Sequence, residues 1–251
     1  MGKKPSIFAR HAGDFQFQKQ AGMQILHARL DRGEAIVNQD SVAMHLPNPG
    51  KHTLDIEYSA PQARGILWFP EQPGVDTAFY CEAWMVCDVD PAQRATLTLE
   101  VVVPESTGLT VVGPGQFQKR WTDKDGVHFL FDQTAPVQTY LFSFGVAKLY
   151  RSDRGQFVLY SPDPKFHIHA LQDTARAYAF LRAKAGIGLQ GKYTQAVMPN
   201  SIAQEAAALA LMPSDFLHNL EDKNDDGLLA HELAHQWWGV LVGIRSWSVS
   251  G

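Results

Sequence analysis

Two histidines four residues apart bracket a glutamate in His231-Glu232-Leu233-Ala234-His235. On a helix, residues at i and i+4 stand one above the other on a single face. Both imidazoles can therefore offer a nitrogen lone pair to one metal ion, and the H-E-x-x-H spacing points to Zn2+. Glu232, one position round the helix, is close enough to hold a water against that metal and take its proton. The chemistry implied is hydrolysis, with the metal as Lewis acid and Glu232 as general base. The structural alternative is a buried helix whose two histidines are satisfied by hydrogen bonds.

The elements that must position these groups are legible around them. Leu228, Leu229, Leu233, Ala234, Trp237, Leu241 and Val242 form an apolar run at helical spacing through the motif. Asp225-Asp226-Gly227 supplies its start, with Asp226 placed as the N-cap. Upstream, Leu171 to Ala185 reads as an amphipathic helix, with Leu171, Ala175, Tyr178, Ala179 and Leu181 on the apolar side. Tyr193 to Met198 reads as a strand, and Ile202 to Met212 is an apolar stretch interrupted by a lone Gln204-Glu205 pair. Residues 1 to 160 are β-rich. His52 to Tyr58 and Ala95 to Val101 alternate with period two, the second running on to Pro104. Gly65–Phe69, Thr77–Tyr80, Val127–Phe131 and Val137–Val146 are further strand candidates. The character changes near Ser161-Pro162-Asp163-Pro164. The fold class expected is α+β: a β-rich, sandwich-like domain over 1–160 and an α/β domain over 161–251 carrying the motif helix.

Composition narrows the function classes. With 22 Lys and Arg against 26 Asp and Glu, the net charge is -4, so there is no basic footprint for nucleic acid. No apolar run of about 18 residues exists, so no membrane span is expected. Lys3-Lys4 opens like a leader, but Pro5-Ser6 and Arg10-His11 follow and no apolar core appears. Two cysteines, Cys81 and Cys87, make no disulfide framework; Cys87 reads as a small buried hydrophobe and a reducing, cytoplasmic compartment is preferred.

Three other motifs compete for attention. Gly186-Ile187-Gly188-Leu189-Gln190-Gly191 spells G-x-G-x-x-G, but a helix precedes it and a strand follows, the reverse of a dinucleotide fingerprint. It reads as a helix-to-strand loop with glycine caps. Asp222 to Gly227 matches the first half of a calcium loop, yet Leu233 stands where the bidentate Glu must fall. His167-Ile168-His169 puts two imidazoles on one side of a strand, where packing or surface roles are the default.

His231 to Gly239, read as H-E-L-A-H-Q-W-W-G, resembles the gluzincin aminopeptidases, the family of membrane alanyl aminopeptidase and leukotriene hydrolase. Trp84 to Pro91 resembles the family's P-C-x-D-x-P segment, with Val86 in place of the first Pro and Val89 in place of the Asp. Ala95 to Pro104 and Tyr140-Leu141-Phe142-Ser143-Phe144-Gly145 resemble parts of its N-terminal domain. Ala203-Gln204-Glu205-Ala206 sits where the family carries its exopeptidase motif, G-x-M-E-N, with Ile202, Gln204 and Ala206 replacing Gly, Met and Asn.

The resemblance implies His231 and His235 as zinc ligands and Glu232 as the base. It implies Glu205, with Gln204 beside it, as the substrate-binding pair, Glu205 gripping the free α-amino group of a peptide. An anion opposite that amine fixes the chain end, so that only the first peptide bond reaches the metal. The family's third ligand, a Glu nineteen residues after the second histidine, would fall at position 254, beyond Gly251. Its transition-state Tyr and helical C-terminal domain would lie further on. The expectation is thus an N-terminal fragment of a zinc aminopeptidase, with little peptidase activity by itself. The alternatives are another zinc hydrolase, such as an endopeptidase or a peptidase with added epoxide hydrolase activity, and a non-catalytic binding or structural domain.

Overall fold

In the computed structural model, which describes residues 6–31, 33–61 and 63–247, apolar and polar alternation becomes strand pairing along the first half of the chain. Lys3-Lys4 and the rest of residues 1–5 lie outside the described residues. By compactness the chain parts into residues 1–66 with 80–90, and 67–79 with 91–251, rather than near residue 160. Pairing explains part of this division: Gly145–Ala147 bonds to Thr110–Val112 on one side and to Val75–Thr77 on the other, drawing the 75–77 strand into the larger unit.

The smaller unit is built from two antiparallel sheets. One has the order Ser6–Ala9, Gly50–Ser59, Gln24–Leu30, Gly33–Glu34; the other has Gly13–Gln18, Ser41–Leu46, Ile36–Val37. Both contribute to one core around Leu30, Val42, Met44, Leu46 and Leu54. Cys81 and Cys87 are not free hydrophobes, as expected, but a disulfide with Cα atoms 6.2 Å apart. A single helical turn, Cys81–Trp84, folds the chain back so that residues six apart meet within bridging distance. Gln18 and Cys87 exchange backbone hydrogen bonds. A bonded pair removes the basis for preferring a reducing compartment. No helix among the described residues is long and apolar enough to cross a membrane.

The larger unit holds three sheets. Ala95–Val103, Gly126–Val137 and Gln116–Asp123 form an antiparallel sheet with the 126–137 strand at its centre, pairing Leu99 with Phe131 and Val101 with Phe129. A four-stranded sheet contains the 110–112, 145–147, 75–77 and 66–68 strands. The third sheet is mixed, in the order Tyr150–Arg154, Phe157–Ser161, Tyr193–Val197, Leu209–Met212, Gln204–Ala206. Its three middle strands run parallel, so the chain needs a long crossover between the first two of them. Helix Ile168–Ala185 supplies it, ending at Gly186 in the left-handed conformation (φ 73°). The G-x-G-x-x-G segment is thus the loop from this helix to the 193–197 strand, and Ile187 within it accepts a hydrogen bond from the Trp237 indole at 2.9 Å.

Two strand expectations fail for local reasons. Val137–Val146 is interrupted by a 3-10 turn at Thr139–Leu141, where buried Gln138 donates to the carbonyls of Pro91 and Ile244. Thr77–Tyr80 stops at Thr77, because Phe79 adopts φ 60°. The His167–His169 pair does not share a strand either: His167 caps the long helix, buried against Ser161 and Glu221, whereas His169 lies exposed in its first turn.

The 75–77 strand carries a buried charge with a consequence for stability. Asp76 is 2% exposed; one carboxylate oxygen accepts from the Asn200 amide and the other has no partner among the described residues. Burial pushes its carboxyl up to about 7, against the lowering effect of Asn200. The unfolded chain titrates this group near 3.9, so between the two values the native state binds the proton more tightly. Native stability should therefore fall as pH rises from about 4 to about 7. Asp76→Asn, neutral throughout, should flatten that part of the profile when urea unfolding is followed across this range. A slope identical to wild type would mean that the Asp76 carboxylate is not held in its buried, protonated form.

Candidate functional site

The motif helix spans Gly227–Ala234 and is held by one apolar face. Leu229 and Leu233, four apart, are fully buried with Trp237 against Leu171, Tyr193, Phe216 and Leu220. Burying Leu-sized side chains stabilises by about 1.5–3 kcal/mol each, enough to fix the helix rotation about its axis. Asp226 occupies the N-cap position but its side chain makes no cap bond; Asp225 Oδ1 accepts from Gly227 N at 3.1 Å instead. The apolar run does not continue as helix to Val242. After His235 the chain turns back, with Val240 N donating to His235 O and Val242 N to Trp237 O. Gly239 permits this with φ 148°, where a Cβ would lie 3.0 Å from the His235 carbonyl oxygen. Leu241 and Val242 consequently stand exposed, at 51% and 65%.

His231 and His235 meet at the motif helix surface. Their rings are nearly perpendicular and their Nε2 atoms lie 3.1 Å apart. His235 Nδ1 is placed to donate to the Trp238 carbonyl at 3.2 Å; in that tautomer Nε2 carries a bare lone pair. Two imidazole nitrogens on one tetrahedral zinc, each about 2.0–2.1 Å from it, would stand about 3.3 Å apart. The observed pair fits that separation.

Glu232 points the other way, into the protein. It is 4% exposed, and its Oε2 is buried with no hydrogen-bond partner among the described residues. Burial first, and the charge of Glu205 second, push its carboxyl up to about 7. An orphaned, buried carboxylate oxygen is what a cation or a proton-carrying substrate would satisfy.

Glu205 comes from a hairpin that the sequence left unassigned. Gln204–Ala206 pairs antiparallel with Leu209–Met212, setting Glu205 opposite Ala210, and Ala208 closes the turn at φ 59°. Glu205 is therefore on a strand. It, Glu232 and His235 bring potential ligand atoms within 4.8 Å of one another. Gln204 is placed differently from its expected substrate-facing role. It is buried; its Oε1 accepts from Phe79 N at 2.6 Å, while its amide faces the Glu205 carbonyl and lies 3.3 Å from the Glu205 carboxylate.

Sequence reasoning missed three residues here. Gln236, 4% exposed, clamps the hairpin turn from the end of the motif helix: its Oε1 accepts from Ala208 N at 2.9 Å and its Nε2 donates to Ala206 O at 3.0 Å. Its place directly after the second histidine was the available signal. Tyr193 is fully buried, its hydroxyl pushed well up by burial and by the charge of Glu232. Tyr140 is pushed up to about 12 by burial and by Glu205. The calcium-like segment is the turn between helix Phe216–Lys223 and the motif helix, with Asn224 at φ 53°.

No family model matches the chain. Relatives do. Aminopeptidase N of Lactobacillus helveticus is 24% identical over 249 residues, covering 85% of this chain and 29% of its own length. Leukotriene A-4 hydrolase of Xenopus laevis is 23% identical, covering 87% of this chain and 36% of its own length. The chain thus spans about a third of the length of these relatives. An M1 zinc metallopeptidase structure from Deinococcus radiodurans superposes with a TM-score of 0.80 at 21% identity, over 97% of this chain and 61% of that one. The chain thus shares the fold of the M1 zinc metallopeptidase structure along nearly its whole length, and its sequence is similar to aminopeptidase N and leukotriene A-4 hydrolase.

Proposed function

We propose that this chain supplies the metal-binding histidines, the general base and the amine-selecting carboxylate of a zinc aminopeptidase acting on peptides with a free N-terminus. The observation that carries this reading is the convergence of Glu205, from the hairpin, on Glu232 and His235, from the motif helix. The Deinococcus enzyme supports the substrate class: a mutant of it, 21% identical to this chain, is described bound to a Tyr-Ser-Ala substrate. In this reading the segment from residue 161 onward carries the chemistry and the β-rich 1–160 region precedes it.

His231 and His235 would hold zinc through their Nε2 atoms, with the His235 Nδ1–H on Trp238 O keeping that ring oriented. Zinc, when bound, acts as Lewis acid toward the scissile carbonyl and acidifies a water. Glu232, held in a dry environment that raises its affinity for protons, accepts the proton of the attacking water at its unpartnered Oε2 and passes it to the departing amine. Glu205 accepts hydrogen bonds from the substrate ammonium, fixing the N-terminus one residue from the reacting bond. Gln204 does not touch substrate; it ties Glu205 to the Phe79 backbone.

Metal analysis after dialysis should find zinc on the wild-type chain and on Glu232→Gln, but not on the His231→Ala, His235→Ala double variant. Zinc retained equally by the double variant would remove both histidines from the site. In any active form, Glu232→Gln should lower turnover by about 10²–10⁴-fold, the range for a lost general base.

Glu205 is tested separately from the metal. Affinity for a free dipeptide amide and for its N-acetyl counterpart should differ by about tenfold or more in the wild type, and this preference should vanish in Glu205→Ala. Undiminished preference in the variant would make Glu205 structural.

A further inference from the structure

Within the larger unit, a cleft runs between the 95–137 antiparallel sheet and the outer strands of the mixed sheet. It opens as two adjoining chambers of about 190 and 300 Å3 that share Phe117, Arg151 and Tyr160. None of its lining residues belongs to the histidine site. The walls are stapled at one end. Gln116 Nε2 donates to Lys192 O at 3.0 Å, Lys192 N donates to Gln116 Oε1 at 2.9 Å, and Gly115 N donates to Ala207 O at 2.7 Å. The opening is therefore set by the fold and needs no ligand to form.

Its chemistry is two-sided. Phe117, half exposed and edge-on to Phe131 at 5.6 Å, faces the same space as Tyr160. Three cations border it. Lys192 lines the smaller chamber, Arg120 the larger, and Arg151 both. Asp153 is shared between Arg151 Nε at 3.3 Å and Lys192 Nζ at 4.0 Å. The outer guanidinium nitrogens of Arg151 have no hydrogen-bond or ion-pair partner among the described residues, and Arg120, over the Phe129 face at 5.6 Å, has no ion pair among them either. Glu105 is the one acid among the lining residues. Three cations against two carboxylates leave one positive charge uncompensated. A forked guanidinium with free donors matches a planar carboxylate, and the adjoining rings offer an apolar body a place to stack.

We propose that this cleft is a binding site for a small amphipathic monoanion, an aryl carboxylate, whose ring lies along Phe117 and Tyr160 and whose carboxylate is held by Arg151 and Arg120. The site is independent of the zinc reading, since it uses neither the metal nor any residue of the histidine centre.

The test is a titration of the full chain with 2-naphthoate and with neutral 2-naphthamide, followed by calorimetry and by amide chemical shifts. The carboxylate should bind one-to-one, about tenfold or more tighter than the amide, and shift resonances of the 116–120, 151–160 and 192–194 segments. In the Arg120→Gln, Arg151→Gln double variant, that preference should disappear while weak amide binding persists. Equal affinity for the two ligands, a preference that survives the double variant, or shifts confined to other segments would overturn the assignment. Displacement of naphthoate by inorganic phosphate at equal concentration would also overturn it, because it would show an anion site with no use for the ring. Should the double variant fail to fold, the carboxylate-to-amide comparison on the wild-type chain still decides.

Discussion

The clamp that Gln236 places on the 206–208 turn is the contact on which the candidate site depends. The hairpin forms one edge of the mixed sheet and the motif helix lies outside that sheet, so neither on its own brings Glu205 near Glu232. One side-chain amide, bonding the turn's carbonyl and its N–H together, locks the end of the helix to the hairpin. Because it is buried, both bonds are made in a low dielectric, where losing either partner leaves an unsatisfied group at a cost of about 1–3 kcal/mol. Leu229, Leu233 and Trp237 then set the helix rotation, so that the face carrying His231 and His235 turns outward and Glu232 turns in. The buried amide and this apolar packing, which also includes Ala210 and Met212 of the hairpin, together set the distance between the two carboxylates.

The electrostatics of the cluster point the same way as its geometry. Burial raises the proton affinity of Glu232, and the charge of nearby Glu205 adds to this. Two imidazole nitrogens face each other across 3.1 Å. Such an arrangement is unfavourable among the groups alone and becomes favourable around a cation, which compensates the carboxylates and fills the space between the lone pairs. Tyr193, buried near Glu232, and Tyr140, half-buried near Glu205, keep their hydroxyls neutral and so add no further negative charge.

The sequence disclosed what depends on short-range periodicity and on residue chemistry. The H-E-x-x-H spacing, the 168–185 helix, the long alternating strands and the glycine-capped loop at 186–191 all follow from i, i+4 or i, i+2 rules. What it concealed depends on where the chain returns. Leu241 and Val242 continue an apolar helical pattern, yet the backbone reverses at Gly239, whose special φ outweighs propensity. Cys81 and Cys87 look too few to be a framework, but one helical turn brings them together. The 202–212 segment reads as one apolar stretch broken by Gln204-Glu205, and only its pairing register separates a two-stranded hairpin from a helix. Gln204 illustrates the limit of transfer by position: it stands at a motif site, but its amide is consumed by Phe79 and Glu205.

The central claim is that His231 and His235 share one metal ion, and zinc K-edge X-ray absorption on the zinc-loaded chain addresses it most directly. The account predicts a first shell containing nitrogen at about 2.0 Å with the outer-shell scattering of two imidazole rings, lost in the double His→Ala variant. A first shell of oxygen alone, without imidazole scattering, would contradict it.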